Sequence, residues 1–136
     1  ACNNIVETTP IVYKGELYRF EVIRRKSFTS ETARADWRNI DDLPCLRFVH
    51  VRTNTCTPCF ADGHTFGFPY AEGDTMYVVT GNSPKWGSDG LVFYRSTDLV
   101  NWENKGYCLK KGDGVIGEKW FWAPEVIFLK NKFLRK

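Results

Sequence analysis

Apolar and polar positions in this chain alternate mostly at a period of two. Residues 74–81 show it most plainly. Met76, Val78 and Thr80 fall on one side, Tyr77 and Val79 on the other, the signature of a strand with two distinct faces. Short apolar runs of this kind recur, separated by clusters of Gly, Pro, Asn, Asp and Ser. That arrangement predicts an all-β chain of antiparallel strands and tight turns. Three segments read alike: Ile11-Val-Tyr-Lys-Gly-Glu-Leu-Tyr-Arg-Phe20, Pro69-Tyr-Ala-Glu-Gly-Asp-Thr-Met-Tyr-Val78 and Pro124-Glu-Val-Ile-Phe-Leu-Lys-Asn-Lys-Phe133. Each is an apolar strand, a short turn and a second strand. The turns centre on Gly15, Gly73 and Asn131, at two intervals of 58 residues. Gly and Asn both tolerate the positive φ that a tight hairpin needs.

The middle unit predicts four strands, at 64–71, 74–81, 91–96 and 105–110. A Gly- and Ser-rich loop at 82–90 precedes the third strand and a turn at 97–102 precedes the fourth. The first unit carries the same parts. Residues 16–25 match the second strand and 45–53 the third, around a polar insertion at 27–43 with room for one short helix. Four antiparallel strands per repeat is the pattern of a β-propeller blade. The expected fold is therefore a single partial domain of about two and a third blades, at 5–59, 60–112 and 118–136. Propellers close with about 4–8 blades, so open strand edges would remain and invite self-association. The stop at Leu134-Arg-Lys136, in mid-strand, reads as a fragment rather than a finished cap.

Composition narrows the function classes. The net charge is +3, with 19 basic against 16 acidic residues, and the longest basic cluster is Arg24-Arg25-Lys26. That is too sparse for a nucleic-acid partner. No run of about 18 apolar residues exists, which excludes a membrane-spanning helix. The first ten residues show no basic segment followed by an apolar core, so no secretory leader is read there. Aromatic residues make up 15% of the chain, which suits both a β core and stacking on sugar rings. The five cysteines include Cys56-Thr-Pro-Cys59. A redox motif would open a helix in a βαβ context, and a zinc site would need a second close pair. Neither condition is met, so buried thiols or one local disulfide rank first, and neither metal nor cofactor is expected.

Three motifs carry a family resemblance. Phe60-Ala-Asp-Gly-His64 followed by Ala71-Glu-Gly-Asp-Thr-Met-Tyr-Val-Val-Thr80 resembles the opening of the catalytic propeller in glycoside hydrolase family 43 and its relatives. Phe93-Tyr-Arg-Ser-Thr-Asp-Leu-Val-Asn-Trp-Glu103 resembles the Ser-x-Asp-Leu-x-x-Trp ending of those blades. Trp122-Ala-Pro-Glu-Val126 resembles the Trp-Ala-Pro-Asp-Val that opens a following blade. The resemblance implies a five-bladed propeller whose axial pocket binds an oligosaccharide or polysaccharide of plant type, such as one containing arabinose or xylose. It also implies inverting hydrolysis, in which one carboxylic acid protonates the leaving oxygen while a carboxylate activates water across the ring.

Carried over position by position, Asp62 matches the general base, with Gly63 standing where the family usually has Pro. An Asp-Gly pair also serves as a plain turn. Glu125 matches the carboxylate that tunes the acid's pKa, with Glu in place of Asp. The general acid would be a Glu in a later blade, beyond this chain. Glu103 and Glu118 are the nearest alternatives. Trp86, Trp120 and Trp122 are candidate sugar platforms, and His64 a candidate hydroxyl contact. Trp37 and Trp102 read as packing residues. The resemblance favours an extracellular setting, which five cysteines and no visible leader leave open.

Overall fold

The computed structural model describes residues 5–23, 44–64, 66–81, 89–114, 126–129 and 132–135. The insertion at 27–43, with Trp37, lies outside them. Among the described residues the chain is all-β. Four antiparallel strands form the first sheet in the order β1-β2-β3-β4: β1 Ile5–Tyr13, β2 Glu16–Ile23, β3 Cys45–His50 and β4 Thr55–Cys56. The second sheet repeats the order with β5 Phe68–Glu72, β6 Thr75–Gly81, β7 Gly90–Ser96 and β8 Glu103–Lys110. A two-stranded hairpin follows, β9 Val126–Leu129 and β10 Lys132–Arg135. The strand expected at 64–71 begins only at Phe68, because the chain ahead of it is folded into turns.

The hairpin turns correct the repeat spacing. Lys14 and Gly15 have φ of 50° and 76°, and positive φ at both central residues marks a type I′ turn. In the second hairpin only the first central residue, Gly73, is positive, at 56°, as a type II′ turn requires. Superposing turn on turn sets Lys14-Gly15 over Gly73-Asp74, an offset of 59 residues and not 58. Ile11, Tyr18 and Phe20 then match Tyr70, Tyr77 and Val79, while Val12 and Leu17 match Ala71 and Met76. Through the pairs Phe20–Phe48 and Val79–Phe93, Leu46 and Phe48 match Leu91 and Phe93.

With this alignment the sheets stack in one sense. The forward face of the first sheet, bearing Phe20, Val22, Leu46 and Phe48, packs on the rear face of the second, bearing Met76 and Val78. The forward face of the second sheet, bearing Val79 and Leu91, packs in turn on Val126 of β9. The alternation read along residues 74–81 is this division between two interfaces. Fully burying each of these aliphatic or aromatic side chains contributes roughly 1.5–3 kcal/mol. β1 lies against β5, so the first strands of the two sheets are neighbours.

Polar ties fix the stack. The Tyr13 hydroxyl lies 2.7 Å from the Asp74 carbonyl and 2.8 Å from the Thr97 carbonyl, and Lys14 Nζ donates to the same Thr97 oxygen at 2.8 Å. The tip of the first hairpin is thereby held to both turns of the second sheet. On the rear face of the first sheet the fully buried Glu21 accepts from Arg19 Nε at 3.1 Å and from Arg47 Nε at 2.9 Å. Two arginines on one carboxylate supply the partners that a buried charge requires.

Candidate functional site

The segment from Thr57 to His64 leaves the edge of the first sheet and leads toward β5. Its mounting begins at Thr57, whose N–H donates to the Phe48 carbonyl at 2.8 Å and whose Oγ1 accepts from the Phe48 N–H at 2.9 Å. Phe60 and Leu46 exchange two backbone hydrogen bonds, of 2.9 and 3.0 Å. Between these points a disulfide joins Cys59 to Cys45, with Cα atoms 5.8 Å apart and 14 residues of sequence separation. Closing a loop of that length stabilises by about 3 kcal/mol through the unfolded chain. Cys56 is an exposed free thiol, and Cys108 is half-buried on β8. The C-x-x-C therefore does not close on itself, and the local disulfide anticipated from the sequence reaches back to β3.

Asp62 sits on the turn that follows. The His64 N–H donates to the Ala61 carbonyl at 3.1 Å, closing a four-residue turn with Asp62 and Gly63 at its centre. Gly63 has φ of 85° and donates its N–H to the Pro44 carbonyl at 2.7 Å. A proline has φ fixed near −65° and no N–H, so this turn admits glycine where the resembled family carries proline. Asp62 is exposed on the turn and is not aligned at the head of a strand. The carboxylate is carried on a pinned support, between the disulfide on one side and the bond to Pro44 on the other.

His64 is buried directly behind it. Its Nδ1 donates to the Gly81 carbonyl at the end of β6, which leaves Nε2 as an acceptor. The Tyr94 hydroxyl stands 3.4 Å from Nε2, and Asn104 Nδ2 stands 3.4 Å from that hydroxyl. Burial pushes the His64 pKa below its ordinary value of 6.5, opposed in part by the bond to Gly81, so the ring is neutral at pH 7. Burial also raises the Tyr94 hydroxyl above its ordinary value. A neutral, twice-bonded imidazole under the Asp62 turn acts as a strut between that turn and the second sheet. Tyr94 and the Gly81 carbonyl were not read from the sequence as partners of His64. The available signal was parity, since Tyr94 shares the rear face with Val92 and approaches the first sheet.

Glu125, Trp86, Trp120 and Trp122 lie outside the described residues, as does Glu118. Glu125 immediately precedes β9 in sequence. Glu103 is exposed and ion-paired with Arg95 at 2.9 Å and Lys105 at 3.5 Å, which hold its carboxyl below the ordinary range. Its ion pair with Arg95 joins β8 to β7. Trp102 packs as expected. Its ring stacks on Phe60 at 3.9 Å between centroids and on Phe48 at 5.7 Å. Comparison with family profiles, with characterised proteins and with solved structures returns no significant match to this chain.

Proposed function

We propose that this chain is part of a β-propeller glycoside hydrolase acting on oligosaccharides or polysaccharides by inversion, with Asp62 as the carboxylate that activates water. The observation that carries the reading is the same-sense stacking of successive units, with the forward face of the first sheet on the rear face of the second, their first strands adjacent, and Val126 of the third unit on the forward face of the second. Such stacking, continued, generates blades around an axis. Asp62 and Glu125 each lie at the entry to the first strand of a unit, six residues before β5 and one before β9. In a propeller the segments that lead into the first strands of neighbouring blades border the central channel. An inverting pair needs separate supports for its two carboxyl groups, roughly 6.5–9.5 Å apart with water between. The stiff mounting of the Asp62 turn supplies one of them. The acid and the identity of the sugar come from outside this segment.

A second reading, a sugar-binding propeller without turnover, draws on Gly63. Its turn replaces the Asp-Pro strand entry of the resembled hydrolases, so the carboxylate is presented differently. One experiment separates the two. The product of the open reading frame that holds this chain is assayed on aryl arabinosides and xylosides, with oligosaccharide binding measured in parallel. Hydrolysis that drops about 10²–10⁴-fold in Asp62→Asn with binding retained supports the hydrolase. Binding without hydrolysis supports the module. Full hydrolysis in Asp62→Asn overturns the assignment of the base.

A further inference from the structure

The connection between β3 and β4, residues 51–54, and the short strand that follows it are exposed throughout. β4 lies at the edge of its sheet opposite β1, the strand that borders β5. Most of the turn is tied back to that sheet. The Val51 N–H donates to the Leu17 carbonyl at 3.0 Å, Arg52 donates to Glu16 at 2.9 Å, and Thr53 Oγ1 lies 2.8 Å from His50 Nδ1. Asn54 is held differently. Its backbone has φ of 55°, a left-handed conformation that asparagine tolerates better than most residues. Its side-chain amide has no hydrogen-bond partner among the described residues and projects from an exposed tip.

Asn54 opens the triplet Asn54-Thr55-Cys56. An asparagine two residues ahead of Ser or Thr, with any residue but proline between, is the acceptor signature for an N-linked glycan. The third residue takes part through its hydroxyl, and a cysteine thiol is a weaker group of the same donor and acceptor kind. No asparagine in this sequence stands two residues ahead of Ser or Thr, and Asn54 alone stands two ahead of Cys. Two further observations fit that chemistry. A disulfide at the third position would remove the S–H, but it is Cys59 that pairs with Cys45, and Cys56 keeps an exposed free thiol. The 45–59 disulfide also belongs to an oxidising compartment, such as the lumen in which N-glycans are attached.

We infer that Asn54 is an N-glycan acceptor, with Cys56 supplying the third-position donor. The glycan stands beside the β4 edge, where a bulky polar chain shields unpaired backbone groups from edge-to-edge pairing. The inference stands on the turn and the thiol and not on sugar hydrolysis. The product of the open reading frame that holds this chain is expressed through the secretory pathway of a eukaryotic host. The peptide carrying Asn54 is then mapped by mass spectrometry before and after treatment with peptide N-glycosidase F. The expected result is a glycan on that peptide, released with conversion of Asn54 to Asp. Asn54→Gln and Cys56→Ala are each expected to abolish it, and Cys56→Thr, which installs the stronger donor, to raise the glycosylated fraction. Both side chains are exposed, so circular dichroism spectra are expected to be unchanged. An Asn54 peptide without glycan in the wild-type protein overturns the inference, and a glycan that survives in Cys56→Ala overturns the part given to the thiol. Loss of sugar hydrolysis in Asp62→Asn has no bearing on either outcome.

Discussion

Leu17 and Met76 occupy the same place in two successive units, yet the fold treats them in opposite ways. Met76 is 0% exposed, beneath the first sheet, whereas Leu17 is 45% exposed. Truncating a buried Met to alanine costs about 2–5 kcal/mol through lost transfer energy and the cavity left behind. A fully buried Leu is worth about 1.5–3 kcal/mol. With nearly half of Leu17 in water and no enclosed cavity to leave, Leu17→Ala should cost about 1 kcal/mol or less. For a chain of this length, each kcal/mol moves Tm by roughly 3–5 °C. Met76→Ala should therefore lower Tm by about 6–25 °C, and Leu17→Ala by no more than about 5 °C. Urea unfolding below 1 μM, where association is minimised, gives the same comparison as a change in midpoint at constant slope. Equal losses for the two variants would refute the alignment of the sheets, and with it the assignment of forward and rear faces.

Reduction of the Cys45–Cys59 bond, or Cys59→Ser, should cost about 3 kcal/mol in urea, while Cys56→Ser should cost nothing measurable and peptide mapping should recover the 45–59 linkage. Gly67→Ala would place its Cβ 2.7 Å from the tip of the Phe20 ring, so a loss of about 1–3 kcal/mol is expected by calorimetry. Gly63→Pro, which restores the Asp-Pro of the resembled family, should destabilise by more than about 1 kcal/mol because it forbids φ of 85° and removes the bond to Pro44. Acid should act in two steps. The His64 pKa is lowered in the fold, so its contribution is complete above 6.5 and declines as pH falls below that value, a step that His64→Gln should abolish. The Asp98 carboxyl is lowered by its bonds to the Asn101 backbone and side chain, so its contribution is held above the ordinary 3.8 and is lost only at more acid pH, a step that Asp98→Asn should flatten.

Much of the fold was legible because period-two alternation reports directly which residues share a face. Met76, Val78 and Thr80 against Tyr77 and Val79 is the division that the two interfaces use. The repeat was visible too, but its register was not. Aligning on glycine pairs Gly15 with Gly73, yet Gly15 is the second residue of its turn and Gly73 the first. The slip is one residue, and a slip of one exchanges the faces of a strand. Phe20 then falls on Val78, which points the other way, instead of on Val79. The disulfide was legible only as a possibility, since Cys45 and Cys59 meet through the pairing of the 57–60 segment with β3. The turn at Asp62 escaped for a related reason. Its geometry depends on the Gly63 bond to Pro44, a contact across 19 residues that no local pattern encodes.

The most specific part of the family resemblance has a structural explanation. In Ser96-Thr-Asp-Leu-Val-Asn-Trp102, each distinctive side chain has work in the corner between β7 and β8. Ser96 Oγ accepts from the backbone N–H of Asp98 and Leu99 and donates to Asp98 Oδ1 at 3.0 Å. That oxygen accepts from the N–H of Val100 and Asn101, both at 2.8 Å, and Oδ2 accepts from Asn101 Nδ2 at 2.7 Å. So braced, the backbone sustains φ of 62° at Leu99, a left-handed conformation that costs a leucine about 1–3 kcal/mol. The return is that Leu99 and Trp102 both reach the core shared by the two sheets. The motif is a device for turning from the third strand to the fourth while sealing the preceding interface. In this chain the motif therefore reports on the stacking of the two sheets and not on chemistry. The chemistry rests on the shorter Asp62 turn, where exchanging proline for glycine changes what the carboxylate is mounted on.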